Sequence, residues 1–308
     1  MDLARVNFLY RDILGPFPEK VPLNLETVEE VDCGDYVRLL VAWDNDATER
    51  VHAYVLKPKA ISGKAPATLV FHGHGRYERG KMDTAGVDLP EDRQAIGHDL
   101  ACRGLVTLCG DAIGYGHRQP EKAPTGNGYE RVVAMRLMAE GRCMASQYVW
   151  DAMRQCDVLQ AFDFVDGERI GATGVSMGSG HTWYSAMVEK RIKVLCAVSS
   201  FYTYEALYAP PISHCMLNHL PNVLKYGLET YDLLKLIAPR PFLMVNGTTA
   251  EQDPVGATQE LYDKAKIAWE DAGAADDFQL IFHELGHGFS PESRERAYEW
   301  MVEKLGEA

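Results

Sequence analysis

From Asp35 onward, short apolar runs rich in β-branched residues alternate with longer stretches of helical periodicity, a pattern that predicts an α/β protein built on a largely parallel sheet. Runs at 37–43 and 51–56 flank the polar turn Asp44-Asn45-Asp46 and predict an antiparallel hairpin. Those at 68–71, 105–109, 170–175, 194–199, 242–245 and 278–282 are short and bounded by turn residues, as buried strands are. Together they predict a sheet of about eight strands.

The segments between them carry helix signals. The stretch 91–103 ends at Gly104, where a left-handed C-terminal cap belongs before the next strand. In 145–164 an apolar stripe of Val149, Met153, Cys156, Leu159 and Phe162 can lie on a sheet, with Asp166-Gly167 expected to end it. Ser290 and Pro291 can cap and open a last helix whose buried face is Ala297, Trp300, Met301 and Leu305. No internal repeat or long Pro/Ser linker marks a boundary, so one domain over 1–308 is expected, including an N-terminal arm at 1–34 that packs over the core or on a partner subunit. Two stretches fit the alternation poorly: 112–142, rich in Gly, Pro and charge, and 201–236, crowded with Tyr and Pro. Such insertions form loops or a partial cap over the carboxyl ends of strands, where substrates bind.

Composition narrows the class. With 46% apolar and 24% charged residues in 308, the chain has the make-up of a folded globular protein and not of a disordered or low-complexity one. Lys and Arg total 31 against 44 Asp and Glu, a net charge of −13, and so acidic a surface repels nucleic acid. No run approaches the roughly 18 apolar residues of a membrane span, and the stretch from Met1 to Phe8 lacks a secretory apolar core. Seven cysteines, odd in number and without a C-x-x-C pair, argue against a disulfide framework or a structural zinc site. A reducing, cytoplasmic setting without membrane attachment is expected, and the possibility of a homo-oligomer is left open.

The strongest chemical signal is Gly174-Val175-Ser176-Met177-Gly178, a G-x-S-x-G between the predicted strand 170–175 and a helix over 179–188. A nucleophilic serine needs a tight strand-to-helix turn that exposes its hydroxyl, with small residues on either side. The N–H groups and positive end of the following helix favour a developing oxyanion. Read as structure alone, the same motif is a strand–turn–helix with a capping serine.

A base and an orienting acid follow a nucleophile of this kind in the order Ser, Asp or Glu, His. After the strand 242–245 a loop carries Glu251 and Asp253, of which Asp253 is preferred because Pro254 fixes the backbone beside it. After 278–282 come His283 and His287. His287, between two glycines, is the better base, whereas His283 continues the strand pattern. The run His72-Gly73-His74-Gly75 after the strand 68–71 lets the backbone approach a substrate, so the N–H groups of His74 and Met177 are the expected oxyanion donors. His72 and His74 alternate without an obvious third ligand, which makes a metal a weak reading; no metal and no cofactor are expected, and His72 is read as holding the loop. Asp111, in the cluster Gly110-Asp111-Ala112-Ile113-Gly114-Tyr115-Gly116-His117-Arg118, is read as structural, pairing with Arg118 or bracing the oxyanion loop. The glycine spacing there matches no dinucleotide fingerprint.

These motifs, with Ile237-Ala238-Pro239-Arg240-Pro241 ahead of a strand, make the chain resemble the α/β-hydrolase superfamily, and within it dienelactone-hydrolase-like and acetylxylan-esterase-like bacterial carboxylesterases. The resemblance implies an α/β-hydrolase fold with helices on both faces of the sheet and cap-like insertions. It also implies a serine carboxylesterase with Ser176 as nucleophile, Asp253 as acid and His287 as base. Dienelactone hydrolases proper use a cysteine nucleophile, so Ser176 favours ordinary carboxylic esters. Trp183, Phe201, Tyr202, Tyr204 and Tyr208, with Tyr115, are expected to shape a site for a small ester with a short or aromatic acyl group, core packing being their plain alternative. A thioesterase, amidase or peptidase could use the same residues, and an inactive hydrolase-fold binding protein is the reading from another class.

Overall fold

Period-two apolar segments become strands, and their alternate side chains separate into two cores on opposite faces of one sheet. A computed structural model describes residues 8–89, 95–122, 124–209, 215–250 and 253–308. The strands are β1 (Glu26–Asp32), β2 (Tyr36–Asp44), β3 (Arg50–Pro58), β4 (Ala65–Phe71), β5 (Val106–Gly110), β6 (Val165–Val175), β7 (Ile192–Val198), β8 (Phe242–Gly247) and β9 (Phe278–His283). Their order across the sheet is β1-β2-β3-β5-β4-β6-β7-β8-β9. β1, β2 and β3 pair antiparallel and β3 joins β5 antiparallel, while every pairing from β5 to β9 is parallel.

The longer helices are α1 (Ile96–Cys102), α2 (Gly126–Ala139), α3 (Met144–Gln160), α4 (Met177–Val188), α5 (Val255–Asp271) and α6 (Pro291–Glu307). On one face Leu69, Leu108, Leu195 and Met244 meet α3, α4 and α5. On the other, Val70, Cys109, Val194, Cys196 and Val245 meet α1 and α6. Residues of opposite parity along one strand thus serve different cores, which is why the parallel strands read as continuous apolar runs. Among the described residues no helix is long and apolar enough to cross a membrane. All seven cysteines are free thiols.

Local signals account for the helix ends. Gly104 has φ +93°, and the N–H groups of Gly104 and Leu105 donate to the carbonyls of Ala101 and Leu100, closing α1 with a Schellman motif. The start of the predicted helix 91–103 lies outside the described residues. Ser290 Oγ accepts from the N–H of Ser293 at 3.1 Å and Pro291 opens α6.

Three expectations change. The sheet has nine strands, because part of the segment read as an arm is β1 at its edge; Glu26, Glu29, Glu30 and Asp32 leave that strand without apolar alternation, as protected edges often are. Of the described residues before β1, Leu9, Ile13 and Leu14 are buried in this chain's own core, while residues 1–7 lie outside the described residues. Finally, α3 stops at Gln160, and Asp166-Gly167 lies inside β6, whose first residue pairs with Ala65.

Candidate active site

β4 lies between β5 and β6, so the turns leaving the carboxyl ends of β4 and β6 are neighbours at a switch in strand order, where α/β sheets open a crevice. Ser176 occupies the turn from β6 into α4 with φ +62° and ψ −119°. A non-glycine residue in that region costs about 1–3 kcal/mol and persists where surroundings enforce it. Here the N–H of Ser176 donates to the Val198 carbonyl at 2.9 Å, tying the turn to the end of β7. A Cβ on Gly178 would lie 2.1 Å from the Phe71 carbonyl oxygen, so only glycine lets α4 start this close to β4. Met177 opens α4, where backbone N–H groups lack intrahelical acceptors and point beyond the helix end.

Asp253 and His287 meet across 34 residues of chain, with His287 Nδ1 2.7 Å from Asp253 Oδ2. Asp253 is 1% exposed, and its other oxygen accepts from the N–H of Ser200 at 3.0 Å, so both oxygens are held. Glu251, the other acid of that loop, lies outside the described residues. His283 sits at the end of β9 and shapes the following turn: its Nδ1 accepts from the N–H of Leu285 at 3.2 Å and its Nε2 donates to the Gly288 carbonyl at 2.8 Å. It therefore holds the loop from which His287 projects. Ser199 and Ser200, both at φ +63°, escaped the sequence reading. Besides the Ser200 contact, Ser199 Oγ accepts from the N–H of Gly288 at 3.0 Å, so this strained pair steadies both the acid and the histidine loop. A Ser-Ser pair directly after a buried strand was the only available signal.

The turn after β4 is held by His72. Its Nε2 is 2.9 Å from the backbone nitrogen of Ala112, which can only donate; Nδ1 therefore carries the proton and donates to the Gly73 carbonyl at 2.9 Å. Burial holds the pKa of this imidazole below its usual value, in keeping with a neutral ring. With both nitrogens engaged, His72 cannot join His74 in a ligand pair. Arg118 donates to the backbone carbonyl of Asp111 at 3.0 Å but does not pair with its side chain. The Asp111 carboxylate bonds the buried Lys81 ammonium and accepts from the N–H groups of Lys81 and His117, whereas Arg118 pairs with Asp151 and Glu49. Lys81 lies 30 residues from Asp111 with no motif around it.

Two cavities meet at His74, Ser176 and His287. One, of about 220 Å³, is lined mainly by polar side chains, among them Asn127, Glu130, Arg131, Tyr202, Cys215 and Asn218. The other, of about 280 Å³, runs beneath the 72–76 turn toward Thr84 and Ile96. Of the six aromatic candidates only Tyr202 lines either cavity. Trp183 stacks on Tyr184 in the core, Phe201 packs near Phe242, and Tyr204 is 2% exposed. Tyr115 is buried beside the rings of His72 and His74, with its hydroxyl on Asn127. Tyr208 is exposed and bonds His219. These five line neither cavity and are packing or surface groups.

The polar wall also escaped sequence reading. Glu130 of α2 is 1% exposed and accepts from His74 Nε2 at 3.2 Å and from the Cys215 thiol at 3.3 Å. Burial, and then the Glu130 charge, push the Cys215 thiol pKa well up. Asn218 Nδ2 donates to the Tyr202 hydroxyl. Glu130 and Asn218 lie in the two segments that fitted the strand–helix alternation poorly, where periodicity could not place them.

A mainly parallel sheet with a strained serine turning from a central strand into a helix is the architecture of the α/β-hydrolases, and the protein is an enzyme of the carboxylesterase class. A family model described as acetyl xylan esterase (AXE1) matches residues 30–206, and the chain belongs to that family. It is 26% identical over 291 residues to "Putative hydrolase YtaP" of Bacillus subtilis (strain 168), covering 93% of this chain and 94% of that one. Its fold is similar to that of a glucuronoyl esterase from Solibacter usitatus, with TM-score 0.72, 15% identity, and coverage of 98% of this chain and 91% of that chain. Acetyl xylan esterase 1 from Thermoanaerobacterium sp. JW/SL YS485 is similar at TM-score 0.63 and 17% identity, with 92% and 89% covered.

Proposed function

We propose that the protein is a serine esterase that removes short acyl groups from polyhydroxylated, carbohydrate-like alcohols. The observation that carries the chemistry is the His287–Asp253 contact beside Ser176 in a cavity shared by all three. Ser176 Oγ attacks the ester carbonyl while His287 Nε2 takes its proton. Asp253 holds Nδ1–H and so fixes the tautomer, and the N–H groups of Met177 and His74 bind the oxyanion. The alcohol leaves with the proton from His287, and water, activated by the same imidazole, then releases the acid from the acyl-serine. No cofactor enters these steps.

The substrate class follows from the two cavities. The amide, carboxylate and hydroxyl groups around the polar cavity suit the hydroxyls of a sugar, and the turn-side cavity suits a small acyl group. Of the aromatic side chains that would favour an aromatic acyl group only Tyr202 lines a cavity, the others packing in the core or lying at the surface, which supports a short one. The family description and the name of the Thermoanaerobacterium neighbour point the same way.

Labelling with a fluorophosphonate tests the nucleophile: the intact protein is expected to take up one label, and Ser176→Ala none. A variant that still labels would move the nucleophile elsewhere. Faster turnover of acetylated xylo-oligosaccharides than of acyl-CoA or peptide substrates is expected.

A further inference from the structure

We propose that His74, Glu130 and Cys215 form a binding site for one divalent cation of the zinc class in the cavity wall, and that its occupancy inhibits the esterase. The three residues come from the turn after β4, from α2 and from the segment between β7 and β8. Their candidate ligand atoms all lie within 4.8 Å of one another. His74 Nε2 is 3.2 Å from one Glu130 oxygen and Cys215 Sγ 3.3 Å from the other. The carboxylate thus already stands between the imidazole and the thiol, one oxygen toward each. Donors at bond lengths of about 2.0–2.3 Å around a tetrahedral zinc ion sit roughly 3.3–3.6 Å apart, so the trio, now within 4.8 Å, closes on an ion by turning the Glu130 carboxylate to offer one oxygen and by a small movement of the Cys215 and His74 side chains.

The donor types select the ion. One imidazole nitrogen, one carboxylate and one thiolate match zinc, whereas calcium and magnesium take oxygen ligands. Three protein ligands leave a fourth position, which here faces the cavity that also contains Ser176. Binding balances without redox change. The Cys215 thiol loses its proton to solvent as sulfur bonds the cation, the His74 proton moves from Nε2 to Nδ1, and Glu130 exchanges its two hydrogen bonds for a metal bond. One proton is released per ion, and the carboxylate and thiolate together neutralise the charge of the ion within the wall. An ion at this position occupies room on the polar side of the site, where the alcohol part of the ester is proposed to sit. The inhibitory effect rests on the esterase reading above; the binding itself does not.

The test uses full-length protein freed of metal with a chelator. Titration with zinc, followed by a competing chromophoric chelator, is expected to show one ion per chain. Cobalt in its place is expected to give a thiolate-to-metal absorption band. Cys215→Ser should abolish that band and weaken zinc binding by at least about 100-fold, more than loss of an outer partner would, while its circular dichroism shows the fold intact. Glu130→Gln should weaken binding as well. No bound zinc, or equal binding by wild type and both variants, would reduce the trio to a hydrogen-bonded relay and overturn the site. Wild-type turnover of p-nitrophenyl acetate should fall with zinc and return with chelator; turnover indifferent to a bound ion overturns the inhibition. Metal-free protein with no turnover at all would instead count against the esterase reading, so the two failures are distinguishable.

Discussion

The two sides of the candidate site are held in different ways. On the serine side, each group sits at the carboxyl end of a strand or in the turn after it. Backbone geometry aims them: Ser176 at φ +62°, Ser199 and Ser200 at φ +63°, Asp253 gripped by the Ser200 amide and His287. On the opposite wall, side chains from distant segments hold one another: Glu130 with His74 and Cys215, Asn218 with Tyr202. The first arrangement is stiff because a sheet edge anchors it, and it suits groups that must meet within tenths of an ångström. The second depends on side-chain contacts between α2, the turn after β4 and the segment between β7 and β8.

The largest effect that could break this contrast is on the serine side. Asp253→Asn is expected to leave folding intact and to lower kcat by about 10⁴-fold with little change in KM, because the wrong imidazole tautomer then faces the serine. A near-normal kcat would transfer the orienting role to another acid, with Glu251 the first to examine. On the wall, Asn218→Ala removes a hydrogen-bond donor to the Tyr202 hydroxyl. Losing one such bond is worth about 1 kcal/mol, so KM for a carbohydrate ester should rise by about fivefold while kcat for p-nitrophenyl acetate holds. A fall in kcat instead would mean that the wall positions the reacting atoms and that the two sides are not separable.

The smallest effect concerns the base of the serine helix. His181 of α4 is wholly enclosed, stacked 3.6 Å from the Phe71 ring with Nε2 donating to the Tyr148 carbonyl at 2.7 Å. Burial lowers its pKa to about 3. The unfolded chain binds this proton below about pH 6.5 and the folded one does not until near pH 3, so this residue's contribution to stability falls as pH drops through that window. Its slope is at most about 1.4 kcal/mol per pH unit. Urea unfolding between pH 7 and pH 5 should show a shallower loss for His181→Asn than for wild type, whatever their absolute stabilities. Parallel slopes would mean that the ring takes up its proton within the native state.

Much of this was legible because it is local. A buried strand, a glycine after a helix and a serine between glycines each leave a mark within ten residues of themselves, since the sterics that require them act over that distance. β1 left none, for an edge strand facing solvent needs no apolar side. Apart from Tyr202, the aromatic candidates of 201–236 misled for a related reason: a tyrosine is equally at home in a core and in a cavity, and only the direction of its Cα–Cβ bond in the folded chain separates the two. Lys81 as the partner of Asp111 was invisible, because ion pairing across 30 residues has no spacing rule.

The order of strands and helices, the serine turn and the chain order of serine, acid and histidine are properties of the sequence itself. Each follows from side-chain period, backbone sterics or succession along the chain. Which strand pairs with which, that Glu130 and Cys215 reach His74, and which tyrosine faces the cavity were decided only in three dimensions. Those contacts are made by residues tens of positions apart, and the free energy that selects them comes from packing the whole sheet between its two layers of helices.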